Sequence, residues 1–249
     1  MDSFAESQFN LAVCYENGDG VEKDMNKAIE FYTLSANQGN SRAQFNLAIC
    51  YKNGNGVEKD MTKAFELYTL SANQGNADAQ INLAICYKNG DGVEKDMTKA
   101  IELYTLSANQ GNSKAQNNLA IYYQNGNGVE KDMNKAIEFY TLSANKGNSI
   151  AQFNIAICYK NGDGVEKDIK KAFELFTLSA NQGNADAQFN LAVCYYNGDG
   201  VEKDMNKAIE LYTSSANQGN AKAQNNLAIC YKNGDGVEKD MTKAFELYT

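Results

Sequence analysis

Tyr51-Lys-Asn-Gly-Asn-Gly-Val-Glu-Lys-Asp60 decides how this chain folds, because with small changes it recurs from Tyr15, Tyr87, Tyr123, Tyr159, Tyr195 and Tyr231. Gly18, Gly54, Gly90, Gly126, Gly162, Gly198 and Gly234 are therefore spaced evenly, 36 residues apart. A fixed period of this size is the signature of a stacked array, in which each unit touches only its neighbours.

Moving outward from that stretch, Asn40 is placed to cap a helix over about 41–53, which Gly54 and Gly56 break. Val57 anchors the turn, and Asp60 caps a second helix over about 61–74. Gly75 ends that helix where a left-handed backbone is needed, and Asn76 restarts the cycle. Each repeat reads as a helix–turn–helix hairpin, and proline is absent throughout. Framed on the first-helix alanine, the copies are 7–42, 43–78, 79–114, 115–150, 151–186, 187–222 and a shorter 223–249. The expected fold is all-α: one solenoid domain across 1–249, made of seven hairpins. On a helical wheel Ala43, Leu47, Cys50 and Tyr51 share one side, expected to bury against the second helix. Met61, Ala64, Phe65, Tyr68 and Ala72 form the matching stripe.

The net charge of −8 argues against a nucleic-acid partner, which needs clustered Lys and Arg, and against an anionic membrane surface. No apolar run approaches the ~20 residues that span a bilayer, and residues 1–6 do not read as a signal peptide. The six cysteines (Cys14, Cys50, Cys86, Cys158, Cys194, Cys230) occupy one repeat position, and Tyr122 takes the seventh. Equivalent residues in stacked helices lie ~8–10 Å or more apart, too far for disulfides, so reduced thiols and a cytoplasmic location are expected. Histidine is absent, which excludes Ser-His-Asp and Cys-His catalysis and leaves no zinc pattern. Glu58 and Asp60 read as helix-terminus residues rather than an acid–base pair. The loop Asn89–Asp96 lacks the calcium-loop plan, and its Gly-x-Gly lacks the strand and G-K-[ST] of a phosphate loop. The expectation is a non-enzymatic chain without cofactor or metal.

The pattern Ala43-x3-Leu47-Ala48-x2-Tyr51-x2-Gly54-x-Gly56-Val57-x2-Asp60-x2-Lys63-Ala64-x3-Tyr68-x3-Ala72-x2-Gly75 resembles the Sel-1-like repeat, a relative of the tetratricopeptide repeat, in seven copies. The resemblance implies an α/α superhelix whose first helices line a concave groove, and a scaffold or adaptor role with a protein or peptide partner. Ala48 stands where the family commonly has Gly, and Ser71 replaces the first Ala of an Ala-Ala pair. Secreted relatives carry two bridged Cys per repeat and are linked to β-lactam binding or hydrolysis. With at most one Cys per repeat, this chain does not fit that subtype, which stands as a minor alternative.

Positions 42, 45, 46, 49, 52 and 53 fall opposite the expected intra-repeat core. They place Asn46, Asn82, Asn118, Asn154 and Asn190 in a ladder able to pair with the N–H and C=O of an extended peptide. Phe9, Phe45, Ile81, Phe153 and Phe189 would form side-chain pockets, interrupted by Asn117 and Asn225. Lys52, Lys88 and Lys160 share an edge position that reads Glu16, Gln124, Tyr196 and Lys232 in the other copies. The alternative is that Asn46 bridges adjacent first helices and Phe45 packs between them. Leu70, Leu106 and Leu142, with Leu34 and Leu178, lie between the Lys63-type and Glu66-type positions on the outer face of the second helices. They predict either a convex partner or self-association ridge or leucines tucked under the next repeat. The first and last hairpins lack a polar outer face, so the ends are a second expected route to a homo-oligomeric, self-assembling array.

Overall fold

The computed structural model of the chain describes residues 3–248, and among these are fourteen α-helices and no strand. They are α1 (Ser3–Asn17), α2 (Met25–Asn37), α3 (Ser41–Asn53), α4 (Met61–Asn73), α5 (Ala77–Asn89), α6 (Met97–Asn109) and α7 (Ser113–Asn125). There follow α8 (Met133–Asn145), α9 (Ser149–Asn161), α10 (Ile169–Asn181), α11 (Ala185–Asn197), α12 (Met205–Asn217), α13 (Ala221–Asn233) and α14 (Met241–Tyr248). The contacts divide the chain into two units, with the division inside α7. The first runs through Leu119 and takes in Asn127–Val129; the second holds Ala120–Gly126 and the chain from Glu130 on.

The helix ends are set by the predicted caps. Asn40 Oδ1 accepts from the Ala43 N–H, and Asp60 Oδ1 from the Lys63 N–H, each at 3.0 Å. Gly54 takes φ 78° and donates its N–H to the Cys50 carbonyl at 2.8 Å, closing α3. The turn then folds back: the Asp60 N–H donates to the Tyr51 carbonyl at 2.9 Å. Lys63 clamps it, its Nζ 3.7 Å from Asp60 and 5.1 Å from the centre of the Tyr51 ring. The second glycine of the turn has a further task. Gly92 takes φ +73°, and a Cβ there would lie 2.3 Å from the backbone oxygen of Met61 in the preceding hairpin. The turn therefore rests directly on the start of α4.

One expectation is corrected by the packing. While Tyr51 packs on Ala64 and Tyr68 of its own second helix as expected, the Ala43–Leu47 part of the stripe turns chiefly to the preceding hairpin. Ala43 and Leu47 bury against Ala12, Ala28, Tyr32 and Ala36. Likewise Ala79, Leu83 and Cys86 pack on Ala48, Ala64, Tyr68 and Ala72, and in the second unit Ala187, Leu191 and Cys194 pack on Ala156, Ala172 and Phe176. The hydrophobic stripe is thus the joint between repeats, as stacking requires of hairpins too small to bury a face alone.

Buried polar groups reinforce both joints. Ser71 Oγ donates to the Ser41 carbonyl at 2.7 Å, within a hairpin, so the Ser that replaces Ala is a hydrogen-bonded cross-tie. Gln44 is 4% exposed; its Oε1 accepts from Gln74 at 2.7 Å, and its Nε2 donates to the Ala36 carbonyl of the preceding hairpin at 3.2 Å. Gln80 repeats the pattern with Gln110 and the Ala72 carbonyl. Gln188 repeats it in the second unit with Gln218 and the Ala180 carbonyl.

Candidate interaction surface

In each unit the predicted site residues fall into three kinds, the first two on the first helices and the third on the second helices. The aromatic group is largely part of the frame. Phe9 and Ile81 are buried, while Phe45, Phe153 and Phe189 are half-buried. Phe45 meets the Tyr68 ring of its own hairpin at 6.0 Å, Phe153 meets Phe176 and Phe189 meets Tyr212 at the same distance. These side chains form walls rather than open pockets, because helix α4 supplies a Tyr that the Phe45 face must cover.

The second kind is a polar network that links the Asn ladder to the variable edge position. Asn46 Nδ2 donates to the Tyr32 hydroxyl at 3.1 Å, and that hydroxyl donates to the Glu16 carboxylate. In the second unit Tyr140 donates to Gln124 Oε1 at 2.6 Å. Where the edge residue is Lys the wiring changes. Lys52 Nζ donates to Asn82 Oδ1 at 3.4 Å, and Asn82 turns its Nδ2 to the Asp78 carbonyl at 3.0 Å. Lys160, Asn190 and Asp186 repeat this at 3.1 Å and 2.9 Å. Phe176, which has no hydroxyl to satisfy, sits beside that second Lys pair, whereas the Tyr68 hydroxyl beside the first is buried without a partner. Asn118 and Asn154 are half-buried, and Lys88 is exposed. The neighbouring Asn thus serves a tyrosine where the edge residue is Glu16, and the lysine itself where it is Lys52 or Lys160.

The third kind is the leucine row, on second helices. Leu70 and Leu106 are each 52% exposed and Leu142 is 41% exposed, so none is tucked under the next repeat.

Burial sets the protonation of the groups beneath this face. Desolvation pushes the Cys86 and Cys158 thiols from 9.0 up to about 11, and the Tyr212 hydroxyl to about 12. These thiols stay protonated at neutral pH and behave as small apolar packing groups. Among the described residues no three His, Cys, Asp or Glu side chains cluster to hold a metal, and no helix is long and apolar enough to cross a membrane.

Sel1 repeat profiles match residues 5–40, 41–76, 77–112, 113–148, 149–184, 185–220 and 221–249. The chain belongs to the Sel1 repeat family. A Sel1 repeat protein of Oxalobacter formigenes is similar, at 30% identity over 100% of this chain and 98% of that one, with a TM-score of 0.86. A protective antigen of uropathogenic Escherichia coli that displays the same repeat fold matches at 36% identity and a TM-score of 0.86. Its match covers 99% of this chain but only 53% of the antigen. An immunity protein of Pseudomonas aeruginosa, 20% identical over 88% of this chain and 83% of that one with a TM-score of 0.56, shares the fold. No curated protein matches. Sel1 repeats are commonly scaffolds for protein–protein interaction.

Two features of the Sel1 face escape a wheel drawn from one repeat. The buried Gln44-type amide reads as a surface residue, although its sameness in all seven copies is a signal. The Tyr32-type hydroxyl, sixteen residues beyond Glu16, joins the network only once the hairpin closes.

Proposed function

We propose that the first-helix face of each unit of this Sel1 chain is a non-enzymatic docking surface for an extended segment of a protein partner. One observation carries the reading: a constant frame presents a variable edge position, and at Lys52 and Lys160 that residue rewires the adjacent Asn. Asn46, bonded through Nδ2 to Tyr32, keeps Oδ1 open to a peptide N–H. Asn82 and Asn190, held by Lys52 and Lys160, offer a different pattern at the same place. Asn118, Asn154 and Lys88 extend the surface, and the Phe45-type rings supply its apolar floor. Hairpins with different edge residues then read their stretch of partner differently, and weak contacts within a unit add through multivalency.

The test is selection of binders from a random peptide library on the full chain. Lys88→Glu should weaken the selected peptides several-fold without moving the melt, since Lys88 is exposed. Selected peptides indifferent to every first-helix substitution, but lost on Leu106→Lys, would overturn the reading. A second reading, association of copies through the leucine row, is favoured by the exposure of Leu70, Leu106 and Leu142. Mass by light scattering that rises with concentration, and stops rising on Leu106→Lys, would support it.

A further inference from the structure

In the second unit the first-helix face holds a cavity of about 320 Å³, lined by Val193, Tyr196, Tyr212, Asn226, Ile229 and Cys230 among others. That volume is at the lower end of those that take small ligands or a large side chain. The cavity has a defined hydrogen-bonding end. Tyr212 is 2% exposed, and its hydroxyl accepts from Asn226 Nδ2 at 3.1 Å. In two other hairpins the equivalent hydroxyl gives its proton to the edge residue sixteen positions earlier: Tyr32 to Glu16 and Tyr140 to Gln124. Here that edge residue is Tyr196, whose own hydroxyl lies 3.4 Å from the Asp235 carboxylate, under Lys203 at 5.5 Å from the ring centre. Among the described residues no side chain accepts the Tyr212 proton, and Asn226 makes its side-chain bond through Nδ2, leaving Oδ1 available. The cavity is therefore missing the group that Gln124 supplies internally elsewhere.

We propose that this cavity takes a glutamine side chain from an extended segment of a protein partner. Its carbonyl oxygen accepts from Tyr212, its amide N–H donates to Asn226 Oδ1, and its methylene stem lies against Val193 and Ile229. An amide meets both requirements at once. A glutamate has no N–H for Asn226 and would bring a second carboxylate near Asp235 in a chain of net charge −8. Leucine fills the volume but leaves the hydroxyl proton of Tyr212 without an acceptor, which is costly in a desolvated site. The inference rests on the docking function proposed above and specifies it at one hairpin.

The experiment uses peptides selected from a random phage-displayed library on the full chain, measured by titration calorimetry. The expected result is a Gln at one fixed position of the binders, with Gln→Leu or Gln→Glu weakening binding about 5–10-fold, the worth of about one hydrogen bond. Tyr212→Phe should reduce binding of the Gln peptide by the same factor and leave the Leu peptide no weaker, or tighter, since the donor it strands is gone. Its folding is expected to hold, since Phe176 occupies the equivalent position. Tyr196→Gln should fill the cavity from within, raise the melting temperature and abolish the preference for Gln. Peptides that bind with no preference for Gln, or whose affinity Tyr196→Gln leaves unchanged, would overturn this inference and leave the docking function standing. A library that yields no binder to the first-helix face would overturn both.

Discussion

Gly92 and Gly75 test the stacking account with one chemical change at two places. Both adopt positive φ, +73° and +86°, so alanine at either meets the same left-handed penalty of about 1–2 kcal/mol. Part of that is offset, by about 0.4–1 kcal/mol, because alanine has fewer unfolded conformations than glycine. Around Gly75 nothing lies within 4 Å of the added Cβ, so Gly75→Ala should destabilise by about 1 kcal/mol. At Gly92 the Cβ would fall 2.3 Å from Met61 O and 2.8 Å from Met61 C, both backbone atoms that cannot swing aside. Relieving that overlap means lifting the turn off the start of α4, an overpacking cost of a further ~1–3 kcal/mol or more. Gly92→Ala should therefore lose about 2–4 kcal/mol in total. Gly56→Ala, whose closest contacts are the Ile29 and Met25 side chains at 3.2 Å, should fall between them. Urea unfolding followed by circular dichroism reads the order directly, with the slope checked for lost cooperativity, since repeat arrays can unfold in pieces. Equal losses at Gly75 and Gly92 would refute the claim that the second glycine serves close approach between repeats.

Three further outcomes follow from the same structure. Tyr68→Phe removes a buried hydroxyl with no partner and should be neutral or stabilising by up to ~1 kcal/mol, whereas Tyr140→Phe breaks the bond to Gln124 and should cost about 1 kcal/mol; thermal melts compare them. Burial raises the Cys86 and Cys158 thiols from 9.0 to about 11, so their contribution is fully present below pH 9 and is lost as pH rises toward 11. The melting temperature should fall across that window, and a flat profile would contradict the burial. Gln44→Leu should cost about 1 kcal/mol by removing the bonds to Gln74 and to the Ala36 carbonyl; an unchanged melt would show that the buried amide ties nothing together.

Much of the hairpin was legible in the sequence. Asn40, Asp60, Gly54 and Gly75 act locally, through caps and left-handed turns, so a single copy displays them. The direction of the Ala43–Leu47 stripe was not legible, because a wheel gives a helix its faces but not which neighbour each face meets. The Phe45 face was read as open for the same reason: Tyr68, twenty-three residues later, covers it. The Asn ladder was visible as a pattern, but its bonds were not. Whether Asn82 faces Lys52 or a tyrosine depends on a residue in the preceding repeat, thirty positions away.

The central claim is that the first-helix face holds the partner. A nitrogen–proton NMR titration of the backbone and side-chain amides, with a library-selected peptide, tests it most directly. The account predicts shifts in Asn46, Asn154 and Asn226, with the glycine turns and the outer second-helix residues around Leu70 unmoved. Shifts confined to the helices carrying Leu70 and Leu106, with the asparagine amides unchanged, would contradict it.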